Sequence, residues 1–304
     1  DLLDTLATLR CPIPRDLALA LATESALVRL VRAGVLVARS DGWLVPATIR
    51  RGHGPLPPVA RQALVRVVQP LLDDRATPSN GDALVALRPS LEAAVLDTSG
   101  PAQLVLLRAL CRTDRTQGTP PHRVAVLRQA HRDTATDGPL LGALLGQALG
   151  RRGDLEASTG LLRDAMTDAG RLPSGLHADL ALTLGRLLQR RGHRKAAQRA
   201  FSHARATAAA TEDRAAVAVA RAHLAVLDRS PNAERILDEG LRATRRAGRT
   251  LETAEILGVS ARLASLHGAW DVALERATDA VVALRLCGAP ALEGHALIAV
   301  GNLH

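Results

Sequence analysis

RRGDLEASTGLLRDA (151–165), RRGHRKAAQRAFSHA (190–204) and LHGAWDVALERATDA (266–280) are copies of one fingerprint. Their glycines Gly153, Gly192 and Gly268 stand 39 and then 76 residues apart, and 76 is two periods of 38. Counted from each glycine, a small residue lies seven before it (Gly146, Gly185, Ala261) and another five after it (Ser158, Ala197, Ala273). Ala165, Ala204 and Ala280 lie twelve after. Small side chains at fixed offsets are needed where antiparallel helices approach closely, and the glycine closes the turn between them. Self-similarity at this period is the signature of stacked helical hairpins, so the fold class is all-α, a superhelical repeat array. Between the second and the last copies another is expected. It is degraded: in DRSPNAERILDEG (228–240) Ala233 and Leu237 fit, but no glycine marks the turn, and the register there stays open.

Residues so placed look like the tetratricopeptide pattern, whose large positions would be Leu155 and Trp270 after the glycine and Phe201 in the second helix. The chain departs from that pattern at Arg194, where a large apolar or aromatic residue is usual, and in a period longer than roughly 34 residues. From about Leu140 to the end the pattern gives four or five hairpins, the last truncated.

The first fifty residues read as three helices and a hairpin. Leu2, Leu3, Leu6 and Leu9 make one helical face, Pro12 and Pro14 interrupt, Asp16 to Ala22 fits a second helix, and Glu24 to Ala33 a third. Val35 to Val37 and Trp43 to Val45 are strand-like, with Asp41-Gly42 between them as a tight-turn dipeptide. That order is a winged helix over residues 1–51. Residues 52–136 read as a linker and helical connector, with breaker-rich stretches at 52–58 and 75–81. Within it, helices are predicted at Val59 to Leu72, which Pro70 must kink or end, at Asp82 to Leu96 and at Pro101 to Cys111. Residues 137–304 are the repeats.

A winged helix, a connector and long-period tetratricopeptide-like repeats together resemble the C-terminal half of the large actinobacterial transcription regulators of the AfsR and MalT kind. These belong to the signal-transduction ATPases with numerous domains (STAND). ALRPSLEAAV (86–95) is similar to the connector helix of that group, with Ser90 in place of an asparagine and Leu87 in place of an acidic residue. The resemblance implies that an ATPase module outside this chain binds ATP and that the winged helix packs on that module. It also implies that the repeats take a protein or peptide partner, or a small effector, and so control an off/on equilibrium. Relatives often carry a histidine just after the wing; Val45-Pro46-Ala47-Thr48-Ile49 has none, which removes direct nucleotide sensing at that point.

Composition narrows the classes. Net charge is +9, and Lys195 is the only lysine among 39 basic residues, a bias of coding more than of ligand choice. Tyrosine is absent and aromatics make up 1%, so there are no stacking platforms for single-stranded nucleic acid. Cys11, Cys111 and Cys287 are scattered, without metal-ligand spacing; this predicts buried thiols in a reducing cytoplasm. No run of roughly 18 apolar residues could span a bilayer, and no signal segment opens the chain. Asp1 stands inside an apolar-periodic segment, and Gly301 fits the small position of a further first helix. The chain is therefore expected to be a piece of a longer protein.

Catalytic signatures are missing. There is no G-x-x-x-x-G-K-[ST] run, and Gly258-Val259-Ser260-Ala261-Arg262 lacks the second glycine of a nucleophile elbow. The ten histidines are dispersed, so neither an enzyme nor a metal site is expected, and no cofactor is expected within this chain. The candidate site is the groove lined by the first helix of each hairpin. There the register puts Gln147, Arg186 and Arg262 at equivalent positions beside the small residue, with Asp179 and Gln189 on the same face. Two arginines on one stripe suit an acidic or phosphorylated peptide. The alternative function is a free-standing DNA-binding regulator that reads duplex DNA with Arg29 and Arg32 on the third helix and Arg39 on the wing.

Overall fold

The computed structural model describes residue 6 and residues 13–33, 36–39, 42–45, 56–73, 79–133, 137–168, 170 and 172–303. It divides into two compact units, Asp1–Thr113 and Asp114–His304.

The first unit opens with strand β1 (Ile13–Pro14), helices α1 (Arg15–Leu21) and α2 (Glu24–Arg32), and strands β2 (Val37–Arg39) and β3 (Gly42–Leu44). Thr23 caps α2 by accepting the Ala26 amide at 3.4 Å. The strands form an antiparallel sheet in the order β1-β3-β2, with Ile13 opposite Trp43 and Val37 opposite Leu44. The strand β1 was not expected, because Pro12 and Pro14 read as breakers. Pro14 is tolerated because it ends an edge strand, where no ladder donor is required. Leu17, Ala18, Leu27 and Leu36 are buried beneath the sheet and helices. Of the predicted leading helix only Leu6 is described, helical and buried; the rest of that helix and Asp41 of the tight turn lie outside the described residues.

Helix α3 (Pro58–Asp73) continues through Pro70 for three further residues. The carbonyl of Leu71, in the last turn of α3 where carbonyls have no donor within the helix, accepts from Arg112 Nη1 at 2.8 Å. Helix α4 spans Ser79–Leu96, so the predicted loop at 75–81 is helical from Ser79 onward. Its end is capped by Thr98 Oγ1 on the Ala94 carbonyl (2.6 Å) and by Gln103 Nε2 on the Val95 carbonyl (3.3 Å). Helix α5 (Gly100–Gln117) runs six residues past the predicted Cys111, which is buried in it.

The second unit takes the last turn of α5 and adds α6 (Pro121–Asp133). Hairpins follow: α7 (Gly138–Arg151) with α8 (Leu155–Thr167), α9 (Ser174–Arg190) with α10 (Arg194–Ala210), α11 (Arg214–Leu227) with α12 (Ala233–Arg246), and α13 (Thr250–Leu266) with α14 (Trp270–Leu286). A single helix α15 (Pro290–Gly301) comes last. Consecutive helices pack on one another, and the first helices α7, α9, α11 and α13 also lie side by side. No helix among the described residues is long and apolar enough to cross a membrane.

One turn geometry recurs inside the hairpins. The amides of Asp154, His193 and Ala269, each just after a glycine, donate to the carbonyls of Leu149, Leu188 and Ala264. Gly153, Gly192 and Gly268 sit at φ 92°, 78° and 73°. The hairpin without a glycine makes the same bond, Ser230 amide to Ala225 carbonyl, with Arg229 in the left-handed conformation at φ 52°. Arg229 therefore occupies the glycine position, 37 residues after Gly192 and 39 before Gly268, and this settles the register that the sequence leaves open.

The small positions do what the spacing requires. A Cβ on Gly185 would come within 2.7 Å of the Phe201 ring, and one on Gly146 within 3.0 Å of Leu162. Trp270 is not a packing residue: it is 57% exposed. Arg194, at the equivalent position, donates to the carbonyl of Leu227, the last residue of the next first helix. This position thus lies at the seam between repeats, outside the core.

Candidate functional site

With Arg229 fixed as the turn residue, the position six before it is His223, which joins Gln147, Arg186 and Arg262 as the fourth member of their stripe. His223 lies on α11 with its ring stacked on Phe201 (centroids 4.4 Å apart, planes at 6°), and both rings are buried.

A continuous chain of hydrogen bonds runs through His223. Arg262 donates through Nη1 to the Gln189 amide oxygen at 2.9 Å, and the Gln189 amide nitrogen donates to His223 Nδ1 at 3.2 Å. With Nδ1 an acceptor, the imidazole carries its proton on Nε2 and donates it to Glu255 Oε1 at 3.0 Å. Arg186 closes the chain with a two-pronged grip on Glu255, Nε to Oε1 at 2.5 Å and Nη2 to Oε2 at 2.6 Å. Such forked arginine–carboxylate pairs fix geometry as well as charge.

Arg186 and Glu255 are 69 residues apart, on α9 and α13, with α11 between them. Packed helices are spaced about 8–10 Å. Two side chains can meet across an intervening helix only where the face is concave, so these first helices line a groove, as the repeat reading requires.

Burial and charge set the protonation states. Burial alone would raise the Glu255 carboxyl, but the Arg186 guanidinium and the His223 bond outweigh it and hold it well below the usual carboxylate range. Burial lowers the His223 pKa, only partly offset by its bond to Glu255, so the ring is neutral, as its bonding requires. Glu252, one turn before Glu255, is raised by burial but lowered further by Arg115 and Arg249, and it is ionised. Arg249 binds Glu252 at 3.0 Å and Asp213 at 3.6 Å. Arg115 lies 3.6 Å from Glu252 and 4.0 Å from Glu255.

Of the residues predicted for the groove, the fold brings together Arg186, Gln189 and Arg262. Arg186 is committed to Glu255, whereas Arg262 meets no carboxylate among the described residues. Asp179 lies on α9, and its charge reaches Arg115. Gln147 is buried at 8% exposure and makes no bond to this chain of groups among the described residues. Sequence reasoning missed His223, Glu252, Glu255, Arg115 and Arg249. In the first unit Arg29 and Arg32 are exposed on α2, and Glu24 pairs with Arg15 at 2.9 Å; the Arg39 side chain lies outside the described residues.

No family model matches the chain, and no curated relative does either. Among solved structures the chain is similar to a Rap protein complexed with competence and sporulation factor. The TM-score is 0.62 at 12% identity, over 81% of this chain and 71% of that one. It is also similar to a STAND protein with a tetratricopeptide repeat sensor from Pyrococcus horikoshii, at TM-score 0.55 and 16% identity. That match covers 100% of this chain and 46% of that one, so this chain spans less than half of that protein's length. At these identities the likeness is one of fold, a tetratricopeptide-like helical repeat.

Proposed function

We propose that the groove over α9, α11 and α13 binds a peptide or a segment of a partner protein. The array is then the sensor and interaction region of a STAND-like transcription regulator and controls an ATPase module outside this chain. The observation that carries this reading is the chain of groups from Arg262 through Gln189, His223 and Glu255 to Arg186. A face kept for packing alone would be apolar; this one holds oriented donors and acceptors from three successive hairpins. Arg262 spends only part of its five N–H donors on Gln189, and the rest can take carbonyl or carboxylate oxygens of a ligand. The Rap protein of the comparison holds competence and sporulation factor, and the P. horikoshii protein couples such repeats to a STAND ATPase, which supports both halves of the reading. Ligand binding would shift the off/on equilibrium only through unequal affinity for the two states.

Peptides selected from a displayed random library on the full chain should bind an Arg262→Glu variant at least about tenfold more weakly. Arg262 is preferred to Arg186 for this test because charge reversal at Arg186 would set two glutamates against each other. Equal binding by the variant removes the groove assignment. For the STAND half, the gene read in frame upstream of Asp1 should encode a G-x-x-x-x-G-K-[ST] loop; its absence over about two domain lengths overturns that half alone.

A further inference from the structure

Helix α9 carries a second, apolar face. Arg186 and Gln189 stand on its groove side, whereas Leu184 and Leu188 stand about half a helical turn round, on the outer side. There the two leucines form the base of a cavity of about 470 Å³, open to solvent between α8 and α10. Its apolar walls include Met166 of α8, the only methionine of the chain, and Ala200 of α10. Second helices stand farther apart on the outside of a curved array than first helices do on the inside. Helix α8 is also short, with 13 residues against 17 in α10, which keeps the furrow open. A cavity of about 150 Å³ takes one benzene-sized group, so this one has room for two or three aliphatic side chains.

Arg163 on α8 and Arg199 and His203 on α10 line the same cavity, and among the described residues no carboxylate does. All three residues are exposed, and none of their side chains makes an ion pair or hydrogen bond among the described residues. The sequence leaves them so. Side chains three and four residues apart meet on a helix, and those around Arg163 are Thr159, Gly160, Met166 and Thr167. Those around Arg199 are Lys195, Ala196, Ser202 and His203. Asp164 follows Arg163 in sequence but does not line the cavity. Other arginines of the second helices are matched, Arg235 by Glu239 at 2.5 Å and Arg285 by Glu293 at 2.7 Å. Helix α10 as a whole carries Arg194, Lys195, Arg199 and Arg205 and no acidic residue, whereas α8, α12 and α14 each carry at least two.

An apolar cavity bordered by unmatched donors complements a surface of apolar side chains flanked by carboxylates. We infer that this outer cavity docks an acidic amphipathic helix of a partner protein. Leucines of that helix enter the cavity over Leu184, Leu188 and Met166, and glutamates on either side of its apolar stripe meet Arg163 on one wall and Arg199 and His203 on the other. Helices laid into grooves in this way are read as apolar anchors at i, i+3, i+4 and i+7. A nucleic-acid backbone would use the arginines but leave the apolar base uncovered, so it fits less well. The site lies on the opposite side of α9 from His223 and Arg262, and it stands independently of the groove reading.

The test uses a labelled, end-blocked peptide of two copies of Glu-Leu-Ala-Ala-Leu-Glu-Ala, titrated on the full chain by fluorescence anisotropy. It should bind saturably, and the double variant Arg163→Glu/Arg199→Glu should bind it at least about tenfold more weakly. Versions of the peptide with lysine for glutamate, or with alanine for leucine, should each lose at least about tenfold as well. No saturable binding, equal binding by the double variant, or equal binding of either altered peptide overturns the inference. A short DNA duplex that binds the unmodified chain more tightly than the peptide, and loses that binding in the double variant, assigns the face to nucleic acid and also overturns it. Arg262→Glu should leave binding of this peptide unchanged; a loss there equal to that of the double variant places the peptide in the groove, which removes the outer site and leaves the groove reading. Should the double variant not fold by circular dichroism, the unmodified chain decides: saturating peptide should lower deuterium uptake over 155–167 and 194–210, and unchanged uptake overturns the inference.

Discussion

Replacing Phe201 by alanine should lower the stability of the repeat unit by about 3–5 kcal/mol, the range for deleting a fully buried aromatic ring. Phe201 is 0% exposed, it is stacked on His223, and it fills the notch left by Gly185. Its loss removes three things at once: the apolar contact, the support of the imidazole and the complement of the glycine. The glycine supplies an internal control. Gly185→Ala alone places a Cβ 2.7 Å from the ring and should cost about 1–3 kcal/mol by overpacking. In the Phe201→Ala background there is no ring to strike, so the same change should cost almost nothing or stabilise. Urea unfolding of the four proteins, followed by far-ultraviolet circular dichroism, measures this cycle. Additive costs would mean that the two positions do not meet.

That contact was half legible in the sequence. Gly185 and Phe201 both stand at repeat positions, and the spacing alone implies close approach. The ring's other neighbour was hidden, for a definable physical reason. Arg229 adopts the left-handed conformation that glycine adopts in the other copies, so the marker that sets the register is missing there. His223, at the same position as Gln147, Arg186 and Arg262, consequently went unread. One signal would have exposed it: the spacing of 37 and 39 residues to the flanking glycines. Glu252 and Glu255 were invisible in another way. Acidic residues on a helix read as solvated, and only packing across three hairpins brings Glu255 to Arg186. Trp270 misled because its size suggested core, although its position lies on a seam between repeats. Periodicity thus reported which helices pack, and long-range charge pairing decided what the groove presents.

The same pairing makes stability depend on pH with a predictable sign. Burial holds the folded pKa of His223 below its ordinary 6.5. As pH falls below 6.5 the unfolded chain takes up a proton that the folded protein refuses, and stability declines. Glu255 and Glu252 are held below their ordinary 4.5 in the fold, Glu255 by Arg186 and His223, Glu252 by Arg115 and Arg249. Their contribution is present above 4.5 and is lost as pH falls toward their folded values, so acidification should destabilise the array in two successive stages. Glu255→Gln separates them. The substitution removes the carboxylate that raises the His223 pKa, so the decline just below pH 6.5 should deepen; it also removes one titrating carboxylate, so the decline below pH 4.5 should shrink. At neutral pH, Glu255→Ala should cost about 3 kcal/mol, the lower end of the range for breaking a buried ion pair, because Arg186 retains 30% exposure and some solvation. Urea midpoints measured from neutral to acid pH test all of this. A wild-type stability that stays flat from pH 6.5 down to 4.5, or an unchanged acid slope in Glu255→Gln, would show that the chain of groups from Arg262 to Arg186 does not hold in solution, and the groove would lose its polar framework.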